Sequence, residues 1–312
     1  NYMKQTFSPI RSVLNDAFDR IDELHKNKGQ LRGVPTGYPD LDALLAGFQK
    51  SDLIILAARP SVGKTSFALD IVRHVGVKRK VSVGLFSLEM SKEQLVDRML
   101  SAESQVDSWK IRTGQNLNVE HDFKAIRDAM DRLSTAPIYI DDQPANNILK
   151  MRAVARRLKS EKGLGLIIVD YLQLMVPTQS RNSDNVVQQV TEISRSLKQL
   201  ARELEVPVIA LSQLSRAVEQ RGGEPRLSDL RDSGSIEQDA DVVMFIHRED
   251  KHNKDASQAR PNIAKIMIEK HRNGPTGYAE LYFDDKKTSF MSIEKNDFGD
   301  FDSNSQGNGS DF

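Results

Sequence analysis

The stretch Leu53-Ile-Ile-Leu-Ala-Ala58-Arg-Pro-Ser-Val-Gly63-Lys64-Thr65-Ser66 runs from an unbroken apolar segment through a short polar loop into a helix-forming one. Leu53–Ala57 shows no polar alternation, as expected of a parallel strand covered on both faces. A phosphate chain needs backbone N–H donors, a helix N-terminus, one mobile cation and a hydroxyl for a metal ion, and this loop offers all four. Gly63 lets the backbone approach closely, Lys64 would reach the β- and γ-phosphates, and Thr65 would bind Mg²⁺. Arg59, Ser61, Val62 and Ser66 are counted with them as nucleotide-binding positions. The first glycine usual in such a loop is Ala58 here, and alanine adopts fewer backbone conformations. A chance Gly-Lys-Thr would lack the strand before it and the helix after it.

The same alternation continues downstream. Val81–Phe86, Ile138–Ile140, Leu166–Val169 and Val208–Leu211 read as further strands. Ser66–Val75, Lys92–Leu100, Phe123–Leu133, Ile148–Lys159 and Val187–Leu204 read as the helices between them. Alternating strands and helices predict an α/β, mostly parallel, doubly wound sheet. Asp241–His247, Ile263–His271, Tyr278–Phe283 and Phe290–Ile293 follow with short turns and predict an antiparallel extension.

In such a sheet the ligand crevice lies beyond the carboxyl ends of the strands. Leu166-Ile-Ile-Val-Asp170 ends there in a carboxylate, which suits an aspartate holding the hydration shell of Mg²⁺. Hydrolysis also needs a group to orient and polarise water. Glu89, in Phe-Ser-Leu-Glu-Met, stands at a carboxyl end; its plainer reading is a helix cap before Ser91. Gln213 ends its strand similarly and could hydrogen-bond a γ-phosphate. The polar segment Leu214–Ser235 that follows, with its arginines and small residues, suits phosphate contacts or a solvated surface loop.

Ile266, Ile268, Lys270 and Arg272 alternate on one predicted strand face and lead into the turn Asn273-Gly-Pro. Cations at that tip are badly placed for their own phosphate loop and well placed for another subunit's, which describes an arginine finger supplied in trans. An ordinary charged hairpin is the alternative.

The N-terminal segment reads as an amphipathic helix, with Ser8 as cap and Pro9 in the first turn. Ile10, Val13, Leu14, Ala17, Phe18, Ile21 and Leu24 form one apolar stripe, and Asn27, Lys28 and Gly29 close it. That stripe packs either on its own domain or on a neighbouring subunit. Residues 1–32 are thus expected to be a linker helix and connector, 33–295 the catalytic domain, and 296–312 a disordered tail too polar to bury.

Composition narrows the field. Hydrophobic residues make up 38% and charged residues 28%, enough for a sizeable core. No apolar run approaches the ~18 residues of a membrane span, and Asn1–Phe7 carry no secretion signal, so a cytoplasmic location is expected. The absence of cysteine removes disulfides, thiolate metal sites and a cysteine nucleophile. The 44 basic and 44 acidic residues balance, so DNA binding would need a local arrangement of charge. The six histidines show no metal-ligand spacing, and Trp109 is expected to pack in the core or a loop. A chain that does not open with methionine hints at a longer protein.

Ala58–Ser66, Ser87–Met90, Ile167–Gln173, Ser212–Arg216, Arg231–Asp241 and Lys270–Gly274 together resemble the C-terminal motor domain of the DnaB-type replicative helicases. They run in that family's order between about Gly33 and Ile293. Arg231-Asp-Ser-Gly-Ser-Ile-Glu-Gln-Asp-Ala-Asp241 is the most specific of them. The resemblance implies a RecA-like P-loop fold, ATP and Mg²⁺ as ligands, and a homo-hexameric ring around single-stranded DNA that travels 5′ to 3′. It implies Lys64, Thr65 and Asp170 on Mg-ATP, Glu89 as activator of water, Gln213 as sensor, and Lys270 and Arg272 in the neighbour's site. It also places Arg231, Asp232 and Gly234 on DNA phosphates and the N-terminal helix on the adjacent subunit. Primase and a helicase loader are partners implied by the family, whose primase-binding collar is not among the matching stretches.

Two other readings remain at this point. A RecA-type recombinase or related ring- or filament-forming ATPase would share the phosphate loop, Glu89 and Asp170. A catalytically dead nucleotide-binding scaffold would be expected to lack one of them.

Overall fold

A computed structural model describes residues 9–26, 31–143, 147–172, 175, 186–214, 223–233, 236–251 and 260–293. In chain order its elements are α1 (Ile10–Lys26), α2 (Pro39–Leu45), β1 (Leu53–Ala58), α3 (Lys64–Arg73), β2 (Ser82–Ser87), α4 (Lys92–Ser104), α5 (Ser108–Thr113) and α6 (Asp122–Ser134). Then come β3 (Ile138–Asp141), α7 (Ile148–Lys162), β4 (Leu164–Asp170), α8 (Val186–Leu204), β5 (Val208–Gln213), α9 (Ile236–Asp239), β6 (Val242–His247), β7 (Ile263–His271), β8 (Gly277–Asp284) and β9 (Ser289–Ser292).

All nine strands form one sheet in the order β3-β2-β4-β5-β1-β6-β7-β8-β9. The first six run parallel and the last three antiparallel. β6 corrects the expected start of the antiparallel extension: it pairs parallel with β1 and antiparallel only with β7, so it closes the parallel half. Its burial on both faces is what a central strand requires.

Alternate residues of β1 feed two separate cores. Ile54, Leu56 and Ala58 pack with Leu41, Phe67, Ile71 and Leu95, beneath α2, α3 and α4. Leu53, Ile55 and Ala57 pack with Met151, Ile193, Leu197 and Leu200, beneath α7 and α8. The result is a three-layer α/β sandwich with the helices on both faces of the sheet.

One sequence expectation changes here, and one open alternative is narrowed. A register shift at Val243/Met244 pairs Val243 with Lys270 and Met244 with Ile268. Val243 belongs to one core and Met244 and Ile268 to the other, so Lys270 leaves the face that Ile266 and Ile268 share. An extra residue in a ladder has this effect because side chains alternate with period two. The apolar stripe of α1 is also not packed on its own domain: Ile10, Val13, Leu14, Phe18 and Ile21 are all exposed, Phe18 by 70%. Ser8, the closing residues 27–29 and the tail from Asn296 lie outside the described residues.

The segment read as an irregular loop contains a 3₁₀ helix, Leu227–Ser233, with Leu230 buried. The short α2, α5 and α9 have no counterpart in the sequence pattern, since each offers too few turns to display a period.

Candidate nucleotide site

β1 delivers the phosphate loop to the carboxyl end of the parallel strands. Ala58 is still strand there, paired with Gln213 on one side and Ile246 on the other. An extended residue needs no glycine, which explains why alanine is accommodated. The left-handed conformations fall instead at Ser61 (φ 64°) and Gly63 (φ 111°). A Cβ on Gly63 would also stand 2.9 Å from Phe290 Cζ, so this position is closed to side chains twice over. Gly63 caps α3, whose first-turn N–H groups face the loop.

Arg59, Ser61, Gly63, Lys64, Thr65 and Ser66 line a cavity of about 440 Å³ together with Glu89, Met90, Arg98, Gln213, Phe283 and Thr288. Val62 differs from its neighbours: its side chain is buried in the core, which leaves only its backbone for a ligand. Asp170 sits under the cavity wall, 1% exposed. Thr65 Oγ1 donates to Asp170 Oδ2 at 2.7 Å, and Lys64 Nζ stands 3.9 Å from Oδ1. Burial raises the carboxyl pKa of Asp170, against the pull of Lys64, Thr65 and Arg98. Burial likewise lowers that of Lys64, against Asp170 and Glu89. In both groups desolvation outweighs the attraction between the pair. Asp170 Oδ1 is buried without a hydrogen-bond partner among the described residues. Thr65 and Asp170 therefore fit a divalent cation between them.

Glu89 reaches the site because Ser87 pairs with Asp170 across β2 and β4, and Leu88 N–H donates to the Asp170 carbonyl at 2.7 Å. It does not serve as a helix cap. Ser91 caps α4 itself and forms a capping box with Gln94. Glu89 is exposed and lines the cavity.

Arg98 was not singled out from sequence, yet it stands in the cavity wall on α4, where burial lowers its pKa against the opposing fields of Asp170 and Glu89. Its signal was available: Leu95, Met99 and Ala102 mark the buried stripe of α4, and Arg98 interrupts it. Phe283 and Thr288 come from the far end of the chain and had no local signal. Trp109, expected to pack in the core or a loop, is 44% exposed.

Lys270 and Arg272 are not brought to this cavity. Lys270 Nζ donates to the Glu237 carbonyl at 2.6 Å, and Arg272 Nη1 lies 3.3 Å from Asp241. Both stand at the opposite end of the sheet. Arg231 and Asp232 lie in the 3₁₀ helix that follows β5, and their side chains are not described; Gly234 and Gln173 lie outside the described residues. Among the described residues no cluster of three or more His, Asp or Glu could hold a metal alone, and no helix is long and apolar enough to cross a membrane.

Comparison with known proteins agrees with this architecture. Residues 33–292 match the family model of the DnaB-like helicase C terminal domain. The replicative DNA helicase DnaB of Geobacillus stearothermophilus is 52% identical over 290 residues, covering 93% of this chain and 63% of that protein. The chain thus spans less than two thirds of the length of such relatives. Among solved structures, an isolated ATPase domain superimposes with a TM-score of 0.86 at 35% identity, covering 93% of this chain and all of that one. A DnaB-like replicative helicase, described with its interactions with primase, gives 0.82 at 35% identity, covering 93% and 68%. The fold is the RecA-like α/β sheet, and the chain belongs to the DnaB-like helicase C terminal domain family.

Proposed function

We propose that this chain is the ATP-driven motor of a ring-shaped replicative DNA helicase. The observation that carries the reading is the arrangement of Lys64, Thr65 and Asp170 around one cavity at the carboxyl end of the sheet, with Asp170 Oδ1 beneath it accepting no hydrogen bond among the described residues. Lys64 and the amides of residues 61–66 bind the phosphates of ATP. Thr65 and Asp170 hold Mg²⁺, which when bound neutralises charge on those phosphates. Glu89 orients water for attack on the γ-phosphorus and accepts its proton, as the bond to ADP breaks. Gln213, at the end of β5, hydrogen-bonds the γ-phosphate and passes its loss to the segment beyond.

That segment leads to Arg231, Asp232 and Gly234, which we assign to DNA phosphates; contacts with the backbone alone suit a motor that ignores sequence. Lys270 and Arg272 complete the site of an adjacent subunit in a homo-hexameric ring on single-stranded DNA. The exposed stripe of α1 fits docking onto that neighbour. We further propose travel 5′ to 3′, a cytoplasmic location, and primase and a loader as partners, by analogy with the family. The family match is to a helicase domain, which gives the recombinase alternative no support.

Unwinding of a forked duplex with ATP and Mg²⁺ tests this, using 5′-tailed and 3′-tailed substrates and Lys64→Ala as control. Displacement that needs both a 5′ tail and Lys64 supports the reading. Hydrolysis by the full assembly without displacement on either substrate argues for a non-unwinding ATPase.

A further inference from the structure

Beside the nucleotide cavity lies a second one of about 210 Å³, and the two share Met90, Arg98 and Thr288 in their walls. Its remaining lining includes Gln94 and Asp97 of α4 and Trp109 and Arg112 of α5. Nothing in the phosphate chemistry described above uses it. We propose that this second cavity takes the nucleobase of the bound nucleotide, with the Trp109 indole as its stacking surface. The inference rests on the nucleotide-site reading and extends it to the other end of the ligand.

Three features favour a base over a further phosphate or a metal. The indole of Trp109 is 44% exposed, although tryptophan is costly to leave in water. Every base offers a flat face to such a ring. Asp97, which shares the wall with Arg98 and Arg112, offers a carboxylate that can accept a hydrogen bond from an exocyclic amine, a donor that neither a phosphate nor a metal supplies. Thr288 Oγ1, in the wall common to both cavities, is buried without a hydrogen-bond partner among the described residues. It stands where the sugar would join base to phosphates.

The backbone that carries the indole is anchored before any ligand arrives. Asp107 caps α5 by accepting from the Trp109 backbone N–H at 2.7 Å, and the Ser108 backbone N–H donates to the Lys286 carbonyl in the β8–β9 turn at 2.8 Å. Thr113 Oγ1 donates to the Trp109 carbonyl at 2.8 Å. With its backbone anchored, the residue has only its two side-chain torsions left to order on stacking.

Trp109 is the one tryptophan of the chain, so its emission reports on this cavity alone. The full chain is titrated with Mg-ADP and, separately, with Mg-tripolyphosphate, in a single assembly state checked by sedimentation. ADP is expected to change Trp109 emission and tripolyphosphate to leave it unchanged. Trp109→Ala is expected to weaken ADP about tenfold, or about 1.4 kcal/mol, without affecting tripolyphosphate; Trp109→Phe keeps most of the affinity. Unchanged ADP affinity in Trp109→Ala, or an equal loss for both ligands, overturns the subsite. Emission that follows protein concentration rather than ligand also overturns it, and assigns the indole to a subunit contact. If neither ligand binds the unmodified chain, the nucleotide-site reading fails and the subsite with it. If both bind through Lys64 and Trp109 is silent, only the subsite fails.

Discussion

Arg272 and Lys64 stand at opposite ends of one sheet. Arg272 follows His271, which pairs with Val242 at the start of β6, and Val242 pairs with Ile54 near the start of β1. Lys64 lies beyond Ala58, at the other end of that strand. The five residues from Ile54 to Ala58 alone span roughly 13 Å. A guanidinium cannot bridge that gap along the sheet, so Arg272 does not reach the Lys64 site of its own chain, and the proposed role in hydrolysis requires a second subunit.

Mixing separates the two positions. Arg272→Ala should bind ATP yet hydrolyse it about a thousandfold more slowly, the scale of a lost arginine finger. Arg272 is half-exposed, and the buried Asp241 keeps Lys198 and the Leu53 N–H as partners, so stability should change by less than about 1 kcal/mol. Adding Lys64→Ala subunits, which keep Arg272, should restore part of the activity under conditions of subunit exchange. No restoration would exclude action in trans.

Gly63→Ala should abolish nucleotide binding and cost stability as well. The left-handed φ and the approach to Phe290 both oppose a methyl group there. Backbone strain of this kind costs about 1–3 kcal/mol. Urea denaturation and ADP titration of the same sample read the two effects; normal affinity in the variant would show that the loop tolerates a different shape.

Asp52 makes a prediction about pH. Burial, and then the nearby Asp241 carboxylate, push its pKa up to about 6, against the opposing pull of Lys198, His271 and Arg272. The folded chain therefore keeps a proton that the unfolded chain releases near pH 4. The stability tied to that proton is fully present below pH 4 and is lost as pH rises from about 4 to about 6. Asp52→Asn should match the parent at pH 4 and become the more stable of the two by pH 7. Denaturation followed by circular dichroism across that range checks it, and parallel curves would refute it.

Phe18→Ser should leave the unfolding midpoint nearly unchanged, within about 0.5 kcal/mol, because the ring is exposed on α1. If the stripe docks on a neighbour, the same change should lower the assembly state seen by sedimentation. A change in stability with assembly intact would place the stripe on its own domain after all.

The two core layers were legible from the residue pattern because each parallel strand is apolar without alternation, and few other structures tolerate that. The same clarity held for Lys64, Thr65 and Asp170, which sit at strand and helix ends where a local pattern fixes their direction. The face of Lys270 was misjudged because one bulged residue reverses alternation, and a bulge depends on its partner strand.

By itself, then, the sequence determined which residues reach the carboxyl end of the sheet, since strand boundaries and the helix start at Gly63 are local properties. Only the tertiary structure decided what surrounds them. It brought Arg98, Phe283 and Thr288 into the cavity wall, placed Trp109 beside it, and left the α1 stripe open to solvent. Those outcomes depend on how distant segments stack across the sheet, and no local period encodes such contacts.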